Sequence, residues 1–501
     1  MKSFKLLAIL LPLLSLTSFS ARSEPLEAKV DFFKLPNGMS FLLVPRKGAP
    51  VFTGYIRVKV GGADEKPGMT GIAHMLEHMA FKGTSTIGTR NERAEKKLLA
   101  EIEKIGMRLS ELTRKDQGEN DEAKKLKAQL KLLQQQAEVF VIKDEYSRAF
   151  TKNGGTDFNA STSKDLTSYF VELPIHKLSL WAYLSSEALK DPVFREFYQE
   201  RDVVMEERRM RVEGDPFGKN YEEFLRTAFE KSPYKDPTIG YEKDIAALTA
   251  TDLKNFYRRY YVPQNMVGAV VGDIDLAETK KILLKYFGSI PRGPDPPLLK
   301  EIEPEQKEER RTFVYFTARP QIMMGYHKPT LPHREDFVFD LIGEILCEGR
   351  TSRLYQSLVE NKKIAQNIAC DNGTPGARLD NLFFIYGSAL GVHTPQELEA
   401  EIEKQVGMLR STLVSKEELD RAKNQLIFDQ LSKMNSNMGL AESLTYFQSV
   451  AGDWKYLIQH PKILEEITRE EIREAARKYL VKSNQTISIL SVPKKNGESR
   501  P

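Results

Sequence analysis

Leu248-Thr249-Ala250-Thr251-Asp252-Leu253, followed by Tyr260, Val262 and Asn265, returns later as Ile467-Thr468-Arg469-Glu470-Glu471-Ile472 with Tyr479, Val481 and Asn484. Ile467 lies 219 residues after Leu248 and Asn484 lies 219 after Asn265, so the offset is constant. Each copy reads as a helix entering a strand, and each is followed by a run of strand character, Met266 to Gly272 and Thr486 to Val492. A repeat of this length, carrying both kinds of element, predicts an α+β chain of two homologous halves. Between them, Ile290 to Arg311 holds Pro291, Pro294, Pro296, Pro297 and Pro304 among many charges, a composition unsuited to a helix or sheet interior. The linker is placed at 291–311, between halves at 24–290 and 312–496.

A third kind of segment interrupts the first half. Leu98, Ile102, Ile105, Leu109 and Leu112, and then Ala123, Leu126, Leu130, Leu133 and Ala137, step by threes and fours. Asp116-Gln117-Gly118-Glu119-Asn120 reads as a turn between the two runs. Residues 92–141 are therefore expected to form an inserted antiparallel helical hairpin of coiled-coil type, an accessory arm whose seam closes on itself. Two ordinary amphipathic core helices are the alternative.

The chain has 501 residues, 41% hydrophobic and 29% charged, which suits packed cores and excludes disorder or a polytopic membrane protein. Lys2 and Lys5, the apolar run Leu6 to Leu16 broken by Pro12, and the small residues from Ser18 to Ser23 predict a signal peptide at 1–23. That apolar run is too short to span a bilayer. No cysteine marks a lipid anchor there, so an exported, periplasmic protein is expected, with no stable membrane span after cleavage. The net charge of +4 includes Lys2, Lys5 and Arg22, and without those three it leaves no footprint for nucleic acid. Cys347 and Cys370 are too few for a disulfide scaffold, and composition favours two free, half-buried thiols.

Chemistry concentrates in Thr70-Gly71-Ile72-Ala73-His74-Met75-Leu76-Glu77-His78-Met79-Ala80-Phe81-Lys82-Gly83. The spacing predicts a short helix stopped by Gly83, with Ile72, Met75, Leu76 and Met79 as its apolar stripe. His74 and His78 stand one turn apart and can reach one metal ion, while Glu77 sits beside them free to act as a base. Zinc needs a third protein ligand. In the helical segment from Arg195 to Glu213, Glu200, Val203, Val204, Glu207 and Arg211 share a stripe, and the seven-residue step puts Glu200 and Glu207 on one face. Helical acids commonly face solvent, so periodicity leaves their ligation open. His176, His327, His333, His393 and His460 have no ligand spacing among themselves and read as ordinary histidines.

Taken with Gly154-Gly155-Thr156-Asp157-Phe158-Asn159-Ala160 and Glu200-Arg201-Asp202-Val203-Val204-Met205-Glu206-Glu207, the His74 to Thr84 run resembles the pitrilysin/insulinase family of inverted-motif zinc peptidases. Within it, the chain is similar to the two-domain subunits related to the mitochondrial processing peptidase. The resemblance implies two halves, each a mostly antiparallel sheet with helices packed on it, the first carrying the zinc site. It implies one zinc per chain held by His74, His78 and Glu207, with Glu77 as general base and Glu200 behind the ligands. It also implies an edge strand at Gly155 to Ala160, where Asn159 and Ala160 would meet an extended peptide or unfolded protein segment. The function expected is zinc-dependent endopeptidase, the alternative a noncatalytic peptide-binding or assembly subunit.

The sequence departs from that family twice. Glu207 follows His78 by 129 residues, against roughly seventy-five in the family's usual spacing, and the 92–141 hairpin accounts for the excess. Val359 and Gln366 stand where family members often carry an arginine and, seven positions on, a tyrosine that contact substrate. Arg353 and Tyr355 lie a few positions early and are expected to face elsewhere. A homologous partner subunit supplying the Arg/Tyr pair is therefore expected.

Overall fold

The computed structural model describes residues 26–299 and 303–493, so the expected signal peptide lies outside the described residues. Among the described residues, eleven strands fall into two sheets. The first half contributes β1 (Asp31–Lys34), β2 (Ser40–Pro45), β3 (Val51–Val58), β4 (Thr156–Thr162), β5 (Thr167–Pro174) and β6 (Met266–Gly272), in the order β1-β2-β6-β3-β5-β4. The second contributes β7 (Arg310–Tyr315), β8 (Gln321–Lys328), β9 (Ala365–Thr374), β10 (Asn381–Ala389) and β11 (Gln485–Ser491), in the order β7-β11-β8-β10-β9. One pairing in each sheet is parallel, β2 with β6 and β7 with β11, and the rest are antiparallel. The expected α+β duplication is thus present. Its repeated helix starts even share a device: Thr249 with Asp252, and Thr468 with Glu471, form reciprocal capping boxes. The second sheet begins inside the expected linker, because Arg310 and Arg311 pair in parallel with Thr486 and Ile487 of β11.

Alternation along the strands sends side chains to two faces, and both faces are covered. In the first sheet, Phe41, Leu43, Phe52, Ile56, Val171 and Val270 face that half's own helices. Leu42, Val44, Tyr55, Val267, Ala269 and Val271 face the other way, onto Leu440, Ala441 and Leu444 of the helix Asn437–Val450, which belongs to the second half. The second sheet mirrors this. Met323, Leu382 and Phe384 pack on Phe224, Leu225 and Ala228 of the helix Pro216–Ala228, which comes from the first half. These two helices sit 219 residues apart within a few positions, so the halves exchange equivalent helices.

The inserted segment is a helical pair, Glu92–Arg114 and Asp121–Glu138, with the turn where the sequence places it. It is not an arm closed on itself. Ile102, Ile105, Leu109 and Leu112 are buried in the main core of the first half. Glu103 accepts hydrogen bonds from the Tyr198 hydroxyl at 2.8 Å and the Thr251 amide at 2.8 Å, and Arg114 bonds the Ala247 carbonyl at 3.2 Å. A heptad stripe names an apolar seam but not its partner, and here the seam is shared between the second arm and the body.

Cys347 and Cys370 are joined in a disulfide with Cα atoms 5.6 Å apart, which corrects the expectation of free thiols. The bridge ties β9 to the end of the helix Arg334–Leu346, a pairing that tertiary structure creates and composition cannot anticipate. Among the described residues, no helix is long and apolar enough to cross a membrane.

Candidate metal centre

Ile72–Met79 is a helix, as its spacing predicts, with Ile72, Met75, Leu76 and Met79 buried. In place of a side-chain N-cap, the carboxylate of Glu65 accepts the amides of Gly71 and Ala73, each at 2.8 Å, at the positive end of the helix. The helix ends at Met79, with Ala80 still helical as its cap, and the left-handed turn at Gly83, φ +89°, follows a few residues on. Glu200 and Glu207 lie on the helix Phe197–Arg208, which packs across the first one. On it Val204 is buried, while Val203 is half exposed, so the stripe read from the sequence is wet along one border.

One nitrogen each of His74 and His78 and one oxygen of Glu207 lie within 4.8 Å of one another. His78 Nε2 stands 3.3 Å, and His74 Nε2 3.7 Å, from the same Glu207 oxygen. Two ligand atoms sharing a tetrahedral zinc at bonds of 2.0–2.2 Å would be roughly 3.4 Å apart, so this donor set fits the ion. The electrostatics favour a cation as well. Burial and the neighbouring His78 push the His74 imidazole down to about 4. Burial would also lower His78, but the carboxylates of Glu200 and Glu207 outweigh it and raise that imidazole to about 9. Hydrogen bonding with His78, aided by His74 and Arg211, holds Glu207 below its ordinary value against the cost of burial. His74 is thus kept neutral, as a ligand imidazole must be, while the carboxylates of Glu200 and Glu207 attract positive charge to the His78 side of the cluster.

Glu200 does not join that group. Its Oε1 lies 2.9 Å from His78 Nδ1 and its Oε2 takes the Lys82 ammonium at 2.7 Å, so it orients the imidazole from behind. Glu77, on the same helix as His78, takes the Thr162 hydroxyl at its Oε2 and lies within the electrostatic reach of His78 and Glu207. Burial raises the Glu77 carboxyl above its ordinary range against that hydrogen bond. The hydroxyls of Tyr169 and Tyr261, 2.7 Å apart, lie near it.

Among the described residues β4 is an edge strand, paired with β5 alone and running past the helix to end at Thr162. Asn159 is exposed on it, Ala160 is buried, and the Asn159 side-chain oxygen accepts the Ala160 amide at 2.9 Å. The sequence carries no signal for Thr162, Lys82 or the two tyrosines, whose roles depend on long-range packing. Arg211 is the exception: it bonds Glu207 Oε1 at 3.1 Å, and the i,i+4 spacing anticipates that pair.

Among the described residues, the second half holds no counterpart of this centre. Leu419 and Leu426, at the repeat offset from Glu200 and Glu207, are packed with the second core. Val359 rests against that core, and Gln366 is exposed on β9 rather than on the helix turn that carries Val359. Arg353 is held by Glu418 through contacts of 2.7 and 2.6 Å, and Tyr355 packs on the core, so neither is free to replace the missing pair. His327 and His460 are satisfied elsewhere, on the Ala228 carbonyl and on Gln430 with Asp340.

Comparison with known proteins agrees with this architecture. The family description Insulinase (Peptidase family M16) matches residues 44–119, and Peptidase M16 inactive domain matches 247–426. The zinc protease PqqE of Helicobacter pylori is 27% identical over 502 residues, covering 98% of each chain. A crystal structure of a protease from Helicobacter pylori superimposes with a TM-score of 0.78 at 25% identity, over 93% of this chain and 99% of that one. The periplasmic protease PqqL from Escherichia coli shares the fold with a TM-score of 0.68 at 18% identity, over 92% of this chain but 47% of its own. The chain belongs to the insulinase family of peptidases, M16.

Proposed function

We propose that this chain is an exported zinc-dependent endopeptidase acting on extended peptides or unfolded protein segments. The observation that carries the reading is the convergence of His74, His78 and Glu207 beside a carboxylate outside that group, Glu77, one residue from a candidate ligand. Zinc bound there would polarise a peptide carbonyl and lower the pKa of water toward ~7. Glu77 takes the proton of the attacking water and returns it to the leaving amine. Thr162 fixes that carboxylate, and Glu200 fixes the His78 ring. The open edge of β4, at Asn159 and Ala160, lets a substrate add as a further strand, which selects for conformation more than for side chains. Export to the periplasm is supported by the amino-terminal sequence pattern.

One zinc per chain is expected by metal analysis. His74→Ala and Glu207→Gln should each lower zinc affinity by at least about a hundredfold, since each removes a ligand. Retention of stoichiometric zinc in those variants, with loss in His176→Ala, would overturn the assignment. A noncatalytic subunit is the competing reading, and the inactive-domain match invites it. That match ends at residue 426, and its second-half portion lacks the ligands, whereas the first half has the full set.

The absence of a usable Arg/Tyr pair supports a homologous partner. So does the length of PqqL, a chain of the same fold of which this one covers about half. The isolated chain should bind zinc yet cleave peptides slowly. Addition of a family member that has the Arg/Tyr pair but lacks H-x-x-E-H should raise the rate, at about tenfold to a thousandfold per restored contact. Full activity of the pure chain, with no gain from such a partner, refutes this.

A further inference from the structure

We propose that Arg195 and Glu95 form a positioning clasp through which the inserted hairpin sets the His78–Glu200 contact. The proposal rests on the metal-centre reading above, and concerns how that centre is held. Arg195 is 1% exposed and Glu95 2%, and they meet through Nε–Oε1 at 2.8 Å and Nη2–Oε2 at 3.3 Å. Glu95 stands in the first turn of the hairpin's first helix. The remaining guanidinium donors go to three carbonyls of one loop, that of Lys82, that of Thr84 at 2.7 Å and that of Ile87 at 3.1 Å. This is the loop that leaves the His74–His78 helix.

The loop is shaped around the arginine. Gly83 and Gly88 both take φ of +89°, and a Cβ at Gly83 would come within 2.3 Å of the Ile87 oxygen. One at Gly88 would come within 2.9 Å of Arg195 Nη1, so only glycine permits the loop to close there. From this fixed backbone the Lys82 side chain reaches back, giving its ammonium to Glu200 Oε2 at 2.7 Å and to Glu196 at 3.4 Å. Glu200 in turn holds His78 Nδ1. Four linked contacts therefore run from the hairpin to an imidazole of the centre.

Charge makes the clasp dependent on the insertion. A buried guanidinium stripped of its carboxylate is strongly destabilised, and would draw water or shift to find another partner. Among the described residues, Glu95 is the carboxylate that pairs with Arg195. Without it the three carbonyls lose their common donor, Lys82 moves with its backbone, and Glu200 is freed to rotate away from His78. Outer partners of this kind set ring orientation and basicity of a ligand.

The test is Glu95→Gln, which keeps shape and removes charge, compared with Glu103→Gln. The latter loosens the same hairpin from Tyr198 and Thr251 without touching the loop. Zinc affinity, the electronic spectrum of the cobalt-substituted protein, thermal midpoint, kcat and KM are read for each. The 15N shift of His78 Nδ1 is read in the metal-free protein. Glu95→Gln should lower zinc affinity and kcat by about tenfold to a hundredfold, change the cobalt spectrum and move the His78 shift. KM should stay within about twofold. Glu103→Gln should lower the midpoint while leaving affinity, spectrum and shift as in the wild type. If Glu95→Gln behaves like Glu103→Gln, the clasp is only structural and the proposal falls. Should Glu95→Gln not fold, Arg195→Lys, which cannot span three carbonyls, is read in the same way. A wild type that cleaves nothing would refute the peptidase reading alone, because the cobalt spectrum and the His78 shift still decide the clasp.

Discussion

Glu77→Gln is expected to retain one zinc per chain and to lose about a hundredfold to ten-thousandfold in kcat, the range that one positioned proton-transfer group supplies. Glu77 is not one of the three converging residues and its hydrogen bond goes to Thr162, so its neutral isostere leaves the ligand set in place. An amide can still accept the Thr162 hydroxyl, which keeps the local packing. What it cannot do is take a proton from water. The loss should appear in kcat more than in KM, because substrate binding along β4 does not use this group. Metal analysis and steady-state kinetics on the partnered enzyme are the check. A variant with full turnover would remove Glu77 from the chemistry, and one that has lost its zinc would make Glu77 a ligand.

Excision of Arg93 to Glu138, bridged by a short Gly/Ser link, is expected to abolish soluble, folded protein. The deletion takes Ile102, Ile105, Leu109 and Leu112 out of the first core. Each such side chain is worth about 1.5–3 kcal/mol on burial. It also strands Arg195 without Glu95, at a cost of about 3–5 kcal/mol. These losses together match the whole stability of a typical domain, about 5–15 kcal/mol. Soluble yield and thermal unfolding measure the outcome. A folded, zinc-loaded deletion product would show the hairpin to be dispensable.

The features that were readable in the sequence are those set by local rules. The halves announce themselves because Thr249 and Thr468 begin equivalent helices with the same capping chemistry. His74, His78 and the Glu200–Glu207 pair follow from helix periodicity, which fixes faces without knowledge of the fold. The rest depends on contacts between distant residues. Arg195 meets Glu95 across 100 positions, and Thr162 meets Glu77 across 85, with nothing in either neighbourhood to name the partner. The hairpin's apolar stripe was visible, but a stripe is equally satisfied by a second arm or by a domain surface. The Cys347–Cys370 bridge is not legible for a related reason, since two cysteines set no framework and the approach of β9 to a helix end is what joins them.

The exchanged helices carry a consequence for how such a chain could have arisen. A single half, cut off from the other, would show water an entire sheet face bearing Leu42, Val44, Tyr55, Val267, Ala269 and Val271. A one-copy ancestor would have been soluble only as a pair, each molecule lending its helix to cover its twin. Fusion in tandem makes that loan permanent and internal. The two copies are then free to differ, with leucines at Leu419 and Leu426 where the first half has Glu200 and Glu207. The asymmetry of the present chain, a His-His-Glu cluster in one half and leucines at the equivalent helix positions of the other, is what a fused pair permits once its members no longer have to be identical.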